Sequence, residues 1–200
     1  FSGISDATAA TADVDRVTSQ VFGAGGLVTK RIAHLNSSTE KVQITQYNYG
    51  YAVTHGSSTS VGSASDETAS LVVSNALLYE VQYPNEINGS PGTTDAFKVK
   101  YAYNALGEVR STTDQNGTRH TYGRDGFGRE TFDKATLASG TEIDGAVLRI
   151  GREYDDSGRL SDVKSYSDAS GSTVVDAVRY RYDDLWRITS LYQNYAGAVA

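Results

Sequence analysis

The residues able to do chemistry are few and scattered. Histidine stands at His34, His55 and His120, with no His-x-x-x-His or cysteine spacing that would gather metal ligands. Acidic residues come in adjacent pairs, Asp155-Asp156 and Asp183-Asp184, with Asp114 further up the chain, and paired carboxylates suggest glycoside cleavage or calcium binding. Neighbouring residues of a strand point to opposite faces, however, and turn chemistry accounts for each of these Asp residues. Ser and Thr are abundant without a Gly-x-Ser-x-Gly elbow, and Gly23-Ala24-Gly25-Gly26 lacks both the lysine of a phosphate loop and a following helix. Asn36-Ser37-Ser38, Asn88-Gly89-Ser90 and Asn116-Gly117-Thr118 fit the acceptor pattern for N-linked sugar and read equally as turns. The expectation is a chain with no catalytic residue, no metal ligand set and no cofactor.

What does recur is a structural unit, clearest at Tyr154-Asp155-Asp156-Ser157-Gly158-Arg159-Leu160. Tyr and Leu favour strands, whereas Asp-Asp-Ser-Gly favours a turn. The first Asp can fold its carboxylate onto amides two residues on, and the Gly can adopt the left-handed conformation that closes the loop. This spacing predicts a β-hairpin with a type I turn followed by a glycine bulge. Arg159 opens the returning strand, where its guanidinium could reach Asp155 or lie along the ring of Tyr154.

The same pattern appears as Tyr103-Asn104-Ala105-Leu106-Gly107-Glu108, Arg124-Asp125-Gly126-Phe127-Gly128-Arg129 and Tyr182-Asp183-Asp184-Leu185-Trp186-Arg187. Copies begin at 103, 124, 154 and 182, in steps of 21, 30 and 28 residues, a period that indicates a solenoid or array. Two places upstream stand Tyr101, Tyr122, Arg152 and Tyr180, which the period-two alternation of a strand puts on one face as columns. In the first copy Asn104 and Glu108 replace Asp and Arg together, as expected if the two positions are paired. In the last, Trp186 stands where Gly is expected, and a turn of different shape is predicted because a side chain in the left-handed region costs about 1–2 kcal/mol.

This Tyr-Asp-x-x-Gly-Arg hairpin, with intervening turns such as Asp114-Gln115-Asn116-Gly117-Thr118 and Asp168-Ala169-Ser170-Gly171-Ser172, resembles the YD repeats of the Rhs family. That family comprises bacterial Rhs proteins, shell components of insecticidal toxin complexes and the animal teneurins, and the likeness is nearest to very large secreted bacterial proteins. It covers residues 97 to 192 clearly; upstream it rests on Tyr47-Asn48-Tyr49 and Tyr79-Glu80-Val81-Gln82-Tyr83-Pro84-Asn85. The resemblance implies an all-β strip of stacked hairpins spiralling into a shell or barrel, with divergent repeats over 1–96 and clear ones over 97–200. It also implies an extracellular or cell-surface location and a non-catalytic role as scaffold, fibre or adhesion surface. The alternative is the wall of a toxin-encapsulating cocoon whose enzymatic payload lies elsewhere. Partners would be neighbouring repeats or further copies, and a carbohydrate or a cell-surface protein; the tyrosine columns themselves fit sugar stacking and, better, cross-strand packing within the sheet.

Composition agrees with a strip wet on one face. Hydrophobic residues form 38% of the 200 residues, and 14 Tyr stand against 5 Phe and one Trp, shifting the aromatics toward rings with a polar tip. A net charge of −6 with 18 scattered Lys and Arg argues against a nucleic-acid partner, which needs clustered cations. There is no run of about 18 apolar residues. Cysteine and methionine are absent, which excludes a disulfide framework, and the chain, opening on Phe1, reads as a segment of a longer protein.

Along the chain, Ser2 to Asp15 fits a frayed end, a strand edge or a short helix. Gly23 to Gly26 is predicted as a turn, Leu27 to Leu35 as a strand, Asn36 to Glu40 as a turn and Val42 to Val53 as the answering strand. His55 to Glu67, rich in Ser and Thr, is expected to be an exposed loop. Leu71 to Ser74 and Leu77 to Tyr83 look like strands, the latter stopped by Pro84, and a loop continues through Asn88 to Gly92. Strand alternation resumes at Phe97. Leu137 to Leu148 has the nearest approach to a helical period, yet Gly140, Gly145 and the β-branched Ile143 and Val147 favour a loop insert.

Overall fold

A computed structural model describes residues 17–35, 41–50, 63–140 and 142–199. It contains twelve strands: β1 (Val17–Phe22), β2 (Val28–Leu35), β3 (Lys41–Tyr49), β4 (Leu78–Gln82), β5 (Lys98–Tyr103), β6 (Val109–Thr113), β7 (Arg119–Arg124), β8 (Glu130–Thr136), β9 (Arg149–Tyr154), β10 (Leu160–Tyr166), β11 (Val174–Tyr182) and β12 (Ile188–Asn194). All lie in one antiparallel sheet in chain order. The expected all-β strip of hairpins is therefore present, and the only helical turn among the described residues is the 3₁₀ segment Asp95–Phe97. Because the sheet is a pure meander, alternate connections fall on opposite long edges, so the turns at 23–27, 104–108, 125–129, 155–159 and 183–187 share one edge.

Register divides the side chains into two faces. One face carries the column Ala102, Ser111, Thr121, Lys134, Arg149 and Tyr166, and beside it Gly123, Phe132, Gly151, Lys164 and Ala177. Its small members are the buried ones, with Ser111, Ala102 and Ala177 at 2%, 3% and 0% exposure. Long side chains supply the cover that a second layer would otherwise provide: a Cβ on Gly123 would lie 2.0 Å from the Phe132 ring, and the Arg149 guanidinium sits 4.3 Å from that ring's centre. Further up the same face Gln46 donates to Asn48 (2.9 Å), Asn48 to Glu80 (3.0 Å) and Gln82 to Glu80 (2.8 Å), while Lys98 lies 3.4 Å from Glu80.

The opposite face carries Tyr101, Tyr122, Arg152 and Tyr180, together with Val81, Val99, Ile150, Val163 and Val178. The four share a face but not a column. The row of Tyr101 runs through Thr112 and His120, that of Tyr122 through Asp133 and Ile150, and that of Arg152 through Val163 and Val178, because each hairpin is offset along the sheet from the one before. No large side chain of the described residues is fully buried, so stability resides in the ladder and in cross-strand neighbours.

Three expectations need correction. Leu71 to Ser74 is no strand; Leu71 donates its amide to the Tyr103 carbonyl (2.7 Å) in an irregular run beside β5. β3 ends at Tyr49, where Gly50 turns with φ +116°, and residues 51–53 lie outside the described residues, as do His55, the turn at 36–40 and Ser2 to Asp15.

The loop expected from His55 to Glu67 is exposed at residues 63–65, as expected, but Asp66 and Glu67 are half-buried. Ser63 to Leu77 forms a strap across the face that carries Ser111 and Thr121, and half-buried Glu67 pins it. Its carboxylate accepts from Lys134 (2.7 Å), Arg119 (3.2 Å) and Thr121 (3.2 Å), while Ser111 donates to its carbonyl and Arg110 to those of Ala64 and Ala69. The Lys134 hydrogen bond is the main reason the Glu67 carboxyl sits below its ordinary pKa.

Pro84 stops β4 as expected, and the tip beyond it mends the sheet. Since Gln46 pairs with Gln82, Ile44 would face Pro84, which has no amide to exchange. Asn85 to Ser90 folds back instead, and the Ile44 amide donates to the Gly89 carbonyl (2.8 Å). Over their described part, 137–140 and 142–148, the residues between β8 and β9 form the predicted loop insert.

Candidate functional site

The repeat-motif residues converge on one sheet edge, and their local chemistry is uniform. At 155–159 the Asp155 amide donates to the Arg159 carbonyl and the Gly158 amide to the Asp155 carbonyl, both at 2.8 Å. Asp155 Oδ1 accepts from the amides of Ser157 (3.0 Å) and Arg159 (2.9 Å), and Arg159 Nε donates to Oδ2 at 2.7 Å. Gly158 has φ +84°. A type I turn with a glycine bulge is what the residues predicted. Asp125 with Gly128 and Arg129, and Asp183 with Arg187, repeat every bond.

At 104–108 polarity is exchanged. Asn104 Nδ2 donates to Glu108 Oε2 (2.7 Å) while its Oδ1 accepts from the amides of Leu106 and Glu108, and Gly107 takes φ +81°. The joint replacement of Asp and Arg is therefore one pair substituted for another.

The fourth turn corrects the expectation for Trp186. It keeps the same shape, with the Trp186 amide donating to the Asp183 carbonyl (3.1 Å) and Trp186 itself at φ +66°. Asp183 and Arg187 hold the frame, and the indole gains a neighbour in Arg159, 5.6 Å from its ring. These contacts offset the left-handed strain.

Carboxyl pKa values follow from the same bonds. The Arg159 amide is the largest cause holding Asp155 below its ordinary value, and the Arg187 amide does the same for Asp183. At Asp125 desolvation pushes upward, but the Arg129 side chain and the amides of Phe127 and Arg129 outweigh it. Asp168, on the opposite edge, is pulled well down, first by the Ser170 hydroxyl and then by the Ser172 amide. The sign is the usual one for depressed carboxyls: their stabilisation is fully present above the unfolded carboxylate range and is lost progressively as pH falls through it and on through the lower folded values. Turn-edge amides should accordingly lose hydrogen-exchange protection below about pH 4, before the inner strands do.

What the sequence did not disclose is how one turn engages the next. Arg159 reaches Asp155 but does not lie along Tyr154; its guanidinium lies 4.9 Å from the Tyr182 ring of the following hairpin and donates to the Asp183 carbonyl (3.0 Å). The ring of Tyr154 lies instead under Arg129 of the preceding hairpin, at 4.3 Å. Each Tyr hydroxyl then donates to the first residue of the preceding hairpin's returning strand: Tyr154 to Glu130 (2.9 Å), Tyr182 to Leu160 (2.9 Å) and Tyr103 to Leu78 (2.6 Å). The signal was present in the fixed order of Tyr, Asp and Arg, but their pairing across hairpins needs the register.

A shallow cavity of about 530 Å³ adjoins this edge, lined by Arg129, Arg149, Arg152, Tyr154 and Tyr166 among others. Its three guanidiniums are engaged internally, Arg129 with Asp125, Arg149 with the Ser170 carbonyl and Arg152 with Glu130. His34 contacts Ser19 (3.2 Å), and His120 contacts Asp133 (2.7 Å). The described residues contain no cluster of three His, Cys, Asp or Glu able to hold a metal, and no helix long and apolar enough to cross a membrane.

No family model matches the chain, and no curated protein matches it. Among solved structures, a TcdB2-TccC3 complex is similar over 92% of this chain and 11% of its own, with 14% identity and a TM-score of 0.30. A TcdB2-TccC3-Cdc42 complex gives 13% identity and 0.28 over the same shares. The Photorhabdus luminescens Tc holotoxin pore gives 14% identity and 0.28 over 88% of this chain and 12% of its own. The chain thus spans about a tenth of the length of the chains it resembles, and likeness at these scores adds nothing to the geometry.

Two predictions arise here. Gly158→Val should destabilise by about 2 kcal/mol, combining a β-branched residue at positive φ with crowding of Arg129 Nη1, which stands 3.1 Å from where the Cβ would be. Ser157→Ala, which keeps the backbone bonds, should change stability by less than about 0.5 kcal/mol; equal melting temperatures would sink the turn assignment. Asp155→Asn and Arg159→Gln should couple, so that the double variant melts higher than the sum of single losses predicts. Simple additivity in that cycle would remove the pairing.

Proposed function

We propose that this chain is a non-catalytic structural segment of a large secreted or cell-surface protein of the YD/Rhs-repeat kind, serving as a stretch of wall or scaffold. One observation carries the reading: twelve strands form a single-layer meander in which successive repeat turns are clasped side chain to side chain, Arg129 over Tyr154 and Arg159 over Tyr182, with Glu108 beside Arg124 at the first junction. Such a sheet buries no large side chain completely among the described residues and gains stability from each neighbour added. The resemblance of the Tyr-Asp-x-x-Gly-Arg motif to YD repeats supports the secreted setting.

Electron cryo-microscopy of the longest natural protein containing this sequence provides the test. The expected result is a continuous β-wall with the turns of 104–108, 125–129, 155–159 and 183–187 in one row. A compact globular domain at this position, with the sheet folded against a second layer, would overturn the reading.

A further inference from the structure

Two turns of the chain carry nearly the same tripeptide, Asn88-Gly89-Ser90 and Asn116-Gly117-Thr118. An asparagine followed by glycine can react with its own backbone, because glycine has no side chain to keep its amide nitrogen away from the neighbouring carboxamide. That nitrogen, once its proton has passed to hydroxide, attacks Cγ of the asparagine. The N–Cγ bond forms, the Cγ–Nδ2 bond breaks, and the side-chain nitrogen takes a proton from water and leaves as ammonia, closing a succinimide ring. Water then opens the ring. Opening at Cγ gives aspartate, and opening at the main-chain carbonyl gives isoaspartate, whose backbone runs through Cβ and is longer by a methylene. The sum is asparagine plus water going to aspartate or isoaspartate plus ammonia, with no oxidant, reductant or enzyme.

The two sites differ in freedom. In both, the glycine amide is held inside its turn, Gly89 by the Asn85 carbonyl (3.0 Å) and Gly117 by the Asp114 carbonyl (3.1 Å), so that bond must break at either site. At Asn88 two more stand in the way. Its Oδ1 accepts from the Ser90 amide (2.9 Å), and the Gly89 carbonyl accepts from the Ile44 amide (2.8 Å), which fastens Gly89 to β3. Room to turn is lacking as well, since the Val42 carbonyl oxygen lies 1.8 Å from where a Gly89 Cβ would be. Asn116, by contrast, is exposed, and its carboxamide makes no hydrogen bond to the described residues. Only its backbone amide is engaged, by Asp114 Oδ1 (2.9 Å). The nearest atom to a Cβ built on Gly117 is the Ala138 methyl, at 3.3 Å. The Asp-Gly pair at 125–126 is held more firmly still, because its carboxylate is shared between Arg129 and two amides.

We infer that Asn116 is a site of spontaneous covalent modification, converting through a succinimide to isoaspartate and aspartate, while the turn around Asn88 keeps that residue intact. The isoaspartate product does not fit the turn. Asp114 Oδ1 accepts from the amides of both Asn116 and Thr118, each at 2.9 Å, and an extra methylene between those amides breaks the shared grip. The inference stands on turn geometry and is independent of the wall reading.

The test incubates the 200-residue chain at mildly alkaline pH, folded in buffer and unfolded in guanidinium chloride. The peptides holding Asn88 and Asn116 are followed by mass spectrometry, and isoaspartate is counted by enzymatic methylation of its carboxylate. Unfolded, the two sites should react at similar rates, because their local sequences are nearly the same. Folded, Asn116 should convert at least about tenfold faster than Asn88, the consequence of two fewer hydrogen bonds to break. Hydrogen exchange at Gly117 and Thr118 should rise in the isoaspartate fraction and stay unchanged at Gly89. Asn116→Gln, which keeps a carboxamide but moves its carbon out of easy reach, should lose the isoaspartate signal at this turn and retain Thr118 protection. Equal rates in the folded chain, or a faster Asn88, would overturn the inference. So would an Asn116 that stays intact in the folded chain over the time that consumes it in the unfolded one.

Discussion

Gly89→Ala should be among the most destabilising single substitutions in the described sheet, at about 2–3 kcal/mol. A Cβ on Gly89 would stand 1.8 Å from the Val42 carbonyl oxygen, a backbone atom that cannot step aside without moving β3. The residue also has φ +70°, where any side chain adds about 1–2 kcal/mol of strain. Relief comes only by lifting the 85–90 tip from the sheet, which surrenders the hydrogen bond from the Ile44 amide to the Gly89 carbonyl, a further loss of about 1 kcal/mol. Gly25→Ala is the control, since nothing lies within 4 Å of its Cβ and its φ is not positive; it should be nearly neutral. Urea denaturation gives the energies, and hydrogen exchange at Ile44 gives the location. Full Ile44 protection in Gly89→Ala would show that the tip does not complete the β3 ladder.

The second large effect is expected at Glu67. Glu67→Ala leaves Lys134 and Arg119, both only about a quarter exposed, without the carboxylate that neutralises them, and an unsatisfied, partly buried charged group costs about 1–3 kcal/mol. Thr121, 6% exposed, loses its acceptor as well. The strap over Ser63 to Leu77 should then detach, and protease cleavage within it should rise far more than global unfolding does. Glu67→Gln retains an acceptor but not the charge, and should fall between. Acidification should mimic the substitution. The Glu67 carboxyl is held low, first by Lys134, so the strap is fully held above the unfolded Glu range and released as pH falls through and below it. A strap equally resistant at pH 3 and pH 7 would show that Glu67 does not pin it.

Both effects arise where the chain leaves its repeat, and this marks the limit of what sequence can yield. A turn is a local object: Asp155, Gly158 and Arg159 lie within five residues, and the bonds among them are fixed by which conformations those residues tolerate. The hairpins, the shared edge and the face of Tyr101, Tyr122, Arg152 and Tyr180 were therefore legible, as was the joint exchange of Asn104 with Glu108. The misreading of Trp186 has the same origin. Local strain was counted, while the offsetting contact with Arg159 comes from another hairpin.

Distances set by register cannot be read this way. Glu67 meets Lys134 across 67 residues, so a Ser- and Thr-rich stretch that looks solvated by composition proves to be a strap. Leu71 to Ser74 carries strand-forming residues, yet the ladders of β5 are built by β4 and β6, and the run meets β5 at its end, through the Leu71 amide and the Tyr103 carbonyl. Arg129 over Tyr154 joins residues whose intervening spacing differs from that between Arg159 and Tyr182, because loop inserts vary while the ladder does not. Sequence alone determined the hairpin unit, its repetition and its turn edge, since each depends on conformational preferences a few residues wide. The tertiary structure decided which turn clasps which and what covers the buried face, since those depend on how strands align, and alignment is a property of the sheet as a whole.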